Sequence, residues 1–348
     1  MLLIKRDHIE AVESASEATD LHWLLQSAIQ LEHSTIPPYL AAAYSLKNGL
    51  NSEIKNMILD IAAEEMLHMS IVANILNAVG GSPDIANPDF IPKYPTNMPM
   101  SIGGGFEVGI QSFSHELVEN VFMKIEQPND PIEIQTRDVT APAEIPEFAT
   151  IGDFYQALID KIIELGDDIF VGDLSRQVVV DAGFPSEQLY AITNVETAVK
   201  ALEWIMLEGE GTPLKPFDSE DEPAHYYRFE EIVRGKKLIK DPDAESGYVY
   251  GGRAVRFDPD KVWEFPDNPK ASDYAEGSDE RKDVDAFNQV YSEILRGLHK
   301  AFNGEPAAIQ ESVAAMGKIR RFAKAVLSRT DPNTGKQCGL TFEYIEEE

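Results

Sequence analysis

Cysteine is nearly missing from this sequence: Cys338 is the one thiol in 348 residues. A single thiol cannot build an intrachain disulfide framework or a multi-cysteine zinc or iron–sulfur site. Basic residues are scarce as well. Thirty Lys and Arg stand against 60 Asp and Glu, a formal charge of −30. Such a field repels phosphate backbones and anionic bilayers, so neither nucleic acid nor membrane is expected as a partner. The short runs Lys236-Lys237 and Lys318-Ile-Arg-Arg321 are the visible exceptions. Long apolar runs are also lacking. None approaches the ~18 residues that mark a spanning helix, and Asp7, His8, Glu10 and Glu13 break up the stretch before Leu25. A soluble, cytoplasmic chain is the expectation. The 43% hydrophobic content is enough for a sizeable core.

The patterning is mainly that of an all-α protein. Residues 20–48 read as a helix, with Asp20 or Thr19 as N-cap, because Leu21, Leu25, Ala28, Glu32, Thr35, Tyr39 and Ala43 recur at steps of three and four. Pro37-Pro38 removes two backbone donors and predicts a kink just after Glu32. A second helix runs over 52–79, with the stripe Ile54, Ile58, Ile61, Glu65, His68, Val72, Ile75, Val79, and Gly80-Gly81 stops it. The short turn between them makes an antiparallel hairpin of helices. Helices are also expected over 114–126, 151–165, 191–210, 222–235, 281–302 and 305–328, and a loop over 127–149. Tyr248-Val-Tyr250 and Val255 suggest a small hairpin turning at Gly251-Gly252. The expected organisation is a four-helix bundle over 1–235, interrupted by a long crossover at about 81–190. A loop-rich segment and helix pair over 236–348 would pack on it.

Glu32, Glu65 and His68 interrupt the apolar stripes of the first two helices. A buried carboxylate without a partner is costly. Carboxylates and an imidazole sharing a cation remove that cost. Glu32 lies 17 residues before Gly49 and Glu65 lies 16 after it, so an antiparallel hairpin sets them at one height. Glu on one helix facing Glu-x-x-His on its neighbour is half of a di-metal carboxylate site. Glu222 and His225 offer a second Glu-x-x-His, since His68 and His225 alone among seven histidines follow Glu by three. The preceding helix should then supply a Glu near its end. Glu210 is favoured, then Glu203, then Glu208. Each acid could instead pair with a base, and each His could be a core residue. Glu64 lies about 100° off the stripe and reads as a solvated or outer neighbour.

Several segments resemble one family. They are Ala28-Ile-Gln-Leu-Glu-His-Ser-Thr-Ile-Pro-Pro-Tyr39, Ala63-Glu-Glu-Met-Leu-His-Met69, Asn74 to Gly81, Glu208-Gly-Glu-Gly211 and Ala224-His-Tyr-Tyr-Arg-Phe229. Phe302-Asn-Gly304 and Phe342-Glu-Tyr344 are similar too. The family is that of the ferritin-like domain in iminophenylpyruvate dimer synthase, a violacein-pathway enzyme, and its bacterial relatives. The resemblance implies a ferritin-like four-helix bundle with inserted helices. It places Glu32, Glu65, His68, Glu210 and His225 on matching motif positions, while Glu222 rests on spacing. It further implies oxidative secondary metabolism, with a substrate that is an amino-acid-derived imine.

The function expected is thus a di-iron or di-manganese oxidase or oxygenase acting on a small molecule with O₂ or peroxide, ligand softness leaving Fe and Mn both open. Other classes stay in play: a haem oxidase using His33, His68 or His225, a metal-storing or peroxide-scavenging protein, and a metal-free partner protein. A homo-oligomer is compatible with each.

Overall fold

The computed structural model describes residues 6–98, 102–128, 134, 151–179, 187–209, 216–217 and 221–346. After a first helix, α1 (Arg6–Ser14), the chain enters the helix hairpin expected from its periodicity: α2 (His22–Ser45) and α3 (Ser52–Ala78). Asp20 does not cap α2. It sits in a 3-10 turn, Ala18–Leu21, and its carboxylate reaches back to the backbone N–H groups of Ser16 and Glu17. Four residues of separation let a short acid close this local turn, which competes with helix capping.

α2 runs through Pro37 and Pro38 as one element. Pro38 cannot donate to the Ser34 carbonyl, four residues back. The hydroxyl of Tyr94 takes that place, donating to Ser34 O at 2.8 Å. α3 ends as its glycines predict. Gly80 adopts a left-handed φ of 84°, and the N–H groups of Gly80 and Gly81 reach Asn77 O and Leu76 O. These two hydrogen bonds satisfy carbonyls that a straight end would leave bare.

The long crossover carries a two-stranded antiparallel ribbon, β1 (Thr96–Met98) and β2 (Ile102–Val108). It continues through α4 (His115–Leu117), a π turn (Val118–Phe122) and α5 (Met123–Ile125), then α6 (Ile151–Leu165). Ser114 caps α4 through its Oγ, which accepts from Leu117 N. The bundle is completed by α7 (Val195–Gly209) and α8 (His225–Arg234), both of which pack on α3. Most of the expected 127–149 loop lies outside the described residues.

The hairpin expected at Gly251-Gly252 turns elsewhere. β4 (Tyr248–Ala254) runs straight through both glycines and pairs with β3 (Lys236–Lys240), which follows α8. The glycines serve close approach, since a Cβ on Gly252 would lie 2.9 Å from Lys237 Cβ. The last two helices, α9 (Asp279–Phe302) and α10 (Ile309–Leu327), pair with each other and lie against α3 and α2. Their apolar faces join the bundle interior in one continuous cluster of buried side chains.

Candidate metal centre

Glu32 comes from the middle of α2 and Glu65 and His68 from the middle of α3, on the faces that the apolar stripes turn inward. All three are at most 5% exposed. His68 Nδ1 lies 3.6 Å from Glu32 Oε2 and 3.8 Å from Glu65 Oε2. Across the bundle, His225 opens α8. Its ring is fully buried, with Nδ1 at 2.8 Å from Glu65 Oε1 and 3.5 Å from Glu126 Oε2. Two groups of three thus share Glu65: Glu32, Glu65 and His68 on one side, Glu65, Glu126 and His225 on the other. Within each group the ligand atoms lie within 4.8 Å of one another.

The second nitrogen of each imidazole is held by a different carboxylate. His68 Nε2 is 2.8 Å from Glu208 Oε2, and His225 Nε2 is 2.9 Å from Glu64 Oε2. Glu64 is itself clamped by the two terminal guanidinium nitrogens of Arg228. With a cation in the centre, carboxylates at Nε2 would favour the proton there and leave each Nδ1 lone pair to face the ion. A carboxylate bonded to the far nitrogen is the arrangement that orients metal-ligating histidines. His225 Nδ1 lacks the angular geometry of a hydrogen bond to any neighbour, although carboxylate oxygens crowd it. Donor atoms that converge on a common space, and not along N–H axes, suit a cation. Three carboxylates and two imidazoles are a donor set for Fe, Mn or Zn.

Two tyrosines close the shell. Tyr155 of α6 donates to Glu32 Oε1, and Tyr39 of α2 donates to Glu126 Oε1. Burial raises the Tyr39 hydroxyl pKa well above its usual value, and the Glu126 charge adds to this, so the proton stays on the phenol. Without a cation the acids are poorly matched. Burial, then the charge of Glu126, pushes Glu65 up to about 7. Burial also opposes the charged form of Glu32, but hydrogen bonding to His68 outweighs it and holds Glu32 low. Burial opposes charging of His68 and His225, yet their carboxylate partners raise both.

The sequence profile of the ferritin-like family matches residues 25–234, more than half of the chain. The chain belongs to the ferritin-like family. The fold is similar to that of a ferritin-like protein from Caulobacter vibrioides, 22% identical with a TM-score of 0.58, covering 92% of this chain and 97% of that one. The chain is also 22% identical to dichlorochromopyrrolate synthase of Lentzea aerocolonigenes. That match takes in 99% of this chain but 38% of the synthase, so the ferritin-like chain spans well under half of its relative.

Of the six candidate ligands expected from the sequence, Glu32, Glu65, His68 and His225 come together. Glu210 lies outside the described residues. Glu222 precedes α8 and is exposed. It stands outside both buried groups, where its charge acts on Arg228. The carboxylate that faces His225 beside Glu65 is Glu126, which the sequence reading passed over. Glu126 caps the C-terminal end of α5, which continues directly from the π turn, and π turns recur at functional sites. A lone Glu at the end of a short helix carries no spacing signal of its own. Glu208, the third choice on α7, holds His68 Nε2. Glu203, the second, is exposed.

Proposed function

We propose that this ferritin-like protein is a metal-dependent oxidoreductase whose two residue groups would hold iron or manganese. In this reading Glu32 and His68 hold one ion, Glu126 and His225 hold the other, and Glu65 serves both. The observation that carries it is the pairing of the two groups through Glu65, with each histidine oriented by an outer carboxylate. When bound, the ions supply one-electron redox chemistry and open positions for O₂ or peroxide. The chain's own residues do the rest. Glu208 and Glu64 fix the imidazole tautomers. Tyr155 and Tyr39 donate hydrogen bonds to the outer oxygens of Glu32 and Glu126 and so hold each carboxylate in orientation. Leu31, Ile125 and Ile205 line the cleft and limit water.

The cleft encloses about 30 Å³, room for one or two water-sized molecules. The partly exposed Ile151, Met206 and Gly209 line it as well. O₂ or peroxide fits inside, so an organic substrate would meet the centre at this rim. We assign that substrate to small amino-acid-derived imines, on the resemblance to imine-coupling enzymes and the likeness to dichlorochromopyrrolate synthase. A haem fits the donor set less well, because both nitrogens of His68 and of His225 already face carboxylates. His33 lies in a different setting, with its Nε2 2.7 Å from the Tyr291 hydroxyl.

The test is elemental analysis of purified protein together with oxygen consumption on an aromatic imine generated in situ. Wild type should carry close to two Fe or Mn per chain and consume oxygen. Glu32→Ala and His68→Ala should each lose metal and activity together. Metal content equal in wild type and both variants sinks the reading.

A further inference from the structure

A second site lies away from the metal centre, between the C-terminal end of α2, the start of α3 and the exposed face of α10. Its pocket measures about 560 Å³, within the usual size of small-molecule sites. Lys47, Lys55, Arg320, Arg321 and Lys324 all line it, with Tyr44 and Trp263 between them. Five cations converge here in a chain that carries 60 acids against 30 bases. Among the described residues, none of the five makes a salt bridge to a carboxylate.

Lys55 sits deepest, 7% exposed. Its ammonium donates to Leu46 O at 3.1 Å and lies 5.8 Å from the Tyr44 ring. An ammonium has three donors, so most of its capacity is unspent. Lys47 lies over Trp263, 5.7 Å from the ring centre. The end of α2 accounts for one cation, because a helix C-terminus attracts positive charge. It does not account for five that repel one another. Burial, then Arg320 and Lys324, lowers the Lys55 pKa to about 8.

We propose that this pocket binds a small molecule carrying two or more phosphate or carboxylate groups. The anionic groups take the unspent donors of Lys55, Arg320 and Lys324, and their charge relieves the mutual repulsion of the cluster. Arginine forks suit either group, since both present paired oxygens. The site is independent of the metal centre, so its test stands or falls separately.

The experiment is calorimetric titration of the purified full-length protein at low ionic strength, with inorganic pyrophosphate in one arm and tricarballylate in the other. Binding of either probe supports the site, and the preferred arm names the source as phosphate or carboxylate. Arg320→Gln/Lys324→Gln removes two exposed charges and should weaken binding by about ten-fold or more, the loss of charge-assisted hydrogen bonds. Lys318→Gln lies on the same helix outside the pocket and should change binding by less than about two-fold. Absence of heat with both probes at 10 mM-scale excess overturns the proposal. So does binding that survives the double variant intact, or that falls equally in Lys318→Gln.

Discussion

Glu65 has one oxygen toward each imidazole: Oε1 toward His225 and Oε2 toward His68. Its replacement therefore acts on both halves of the centre. Glu65→Gln keeps the shape and removes the charge, and bound metal is expected to fall at both positions by elemental analysis. Glu126→Gln should act on the His225 half, leaving about one ion per chain, because the Glu32 and His68 ligands remain. The outer carboxylates predict a milder loss. Glu208→Ala frees His68 Nε2 without removing a ligand, so metal affinity should drop roughly 10- to 100-fold in competition with a chromophoric chelator. Full retention of affinity would show that Glu208 does not orient the ring. At this scale Glu32, Glu65, His68 and His225 were readable, because charges inside apolar stripes are anomalies of pattern. Glu126 and Tyr155 were not, because each reaches the centre from a position whose local pattern is ordinary, whereas Glu64, expected as a solvated or outer neighbour, is the outer carboxylate on His225 Nε2.

The elements of the bundle follow from periodicity and stop signals. The α2–α3 hairpin and the Gly80-Gly81 stop come from local rules that act within a few residues. The Pro37-Pro38 step shows where such rules end. The prolines state that a donor is missing. They do not say that Tyr94, some 60 residues later, replaces it for Ser34 O. Tyr94→Phe removes this donor from the Ser34 carbonyl, and stability should fall by about 1–3 kcal/mol. The urea midpoint should drop with the m-value unchanged. An unaltered midpoint would mean that another donor serves Ser34. β4 makes the same point. Gly251-Gly252 looked like a turn from its own residues, and the strand passes through because β3 needs the space beside Gly252.

For the whole molecule, the cluster couples stability to pH. Burial and Glu126 raise Glu65 from 4.5 to about 7 in the metal-free protein. A carboxylate with a raised folded pKa binds more protons folded than unfolded. Its contribution is fully present below about 4.5 and is lost as pH rises toward about 7. His68 and His225, raised above 6.5 by their carboxylate partners, push the same way. Glu32 is lowered and acts below this window. The metal-free protein should therefore lose melting temperature between pH 5 and 8, and metal should flatten the slope by stabilising the charged acids. Metal-free Glu65→Gln should show a shallower slope than wild type. Coincident slopes would mean that Glu65 is not perturbed. Among the described residues no helix is long and apolar enough to cross a membrane.

The sequence by itself determined the helical class, the hairpin with its two acids at one height, and the absence of disulfide or multi-cysteine metal chemistry. These depend on composition and on repeats of three and four residues, which act along a single helix. Tertiary structure alone decided which acid faces His225. Glu222 has the right spacing to His225, but it precedes the first turn of α8 and faces solvent. Glu126 has no spacing to it at all, yet the π turn and the crossover deliver it across the bundle. Spacing along a chain fixes which side chains share a face. Which face meets which is set by how helices pack, and that depends on every apolar contact in the core at once.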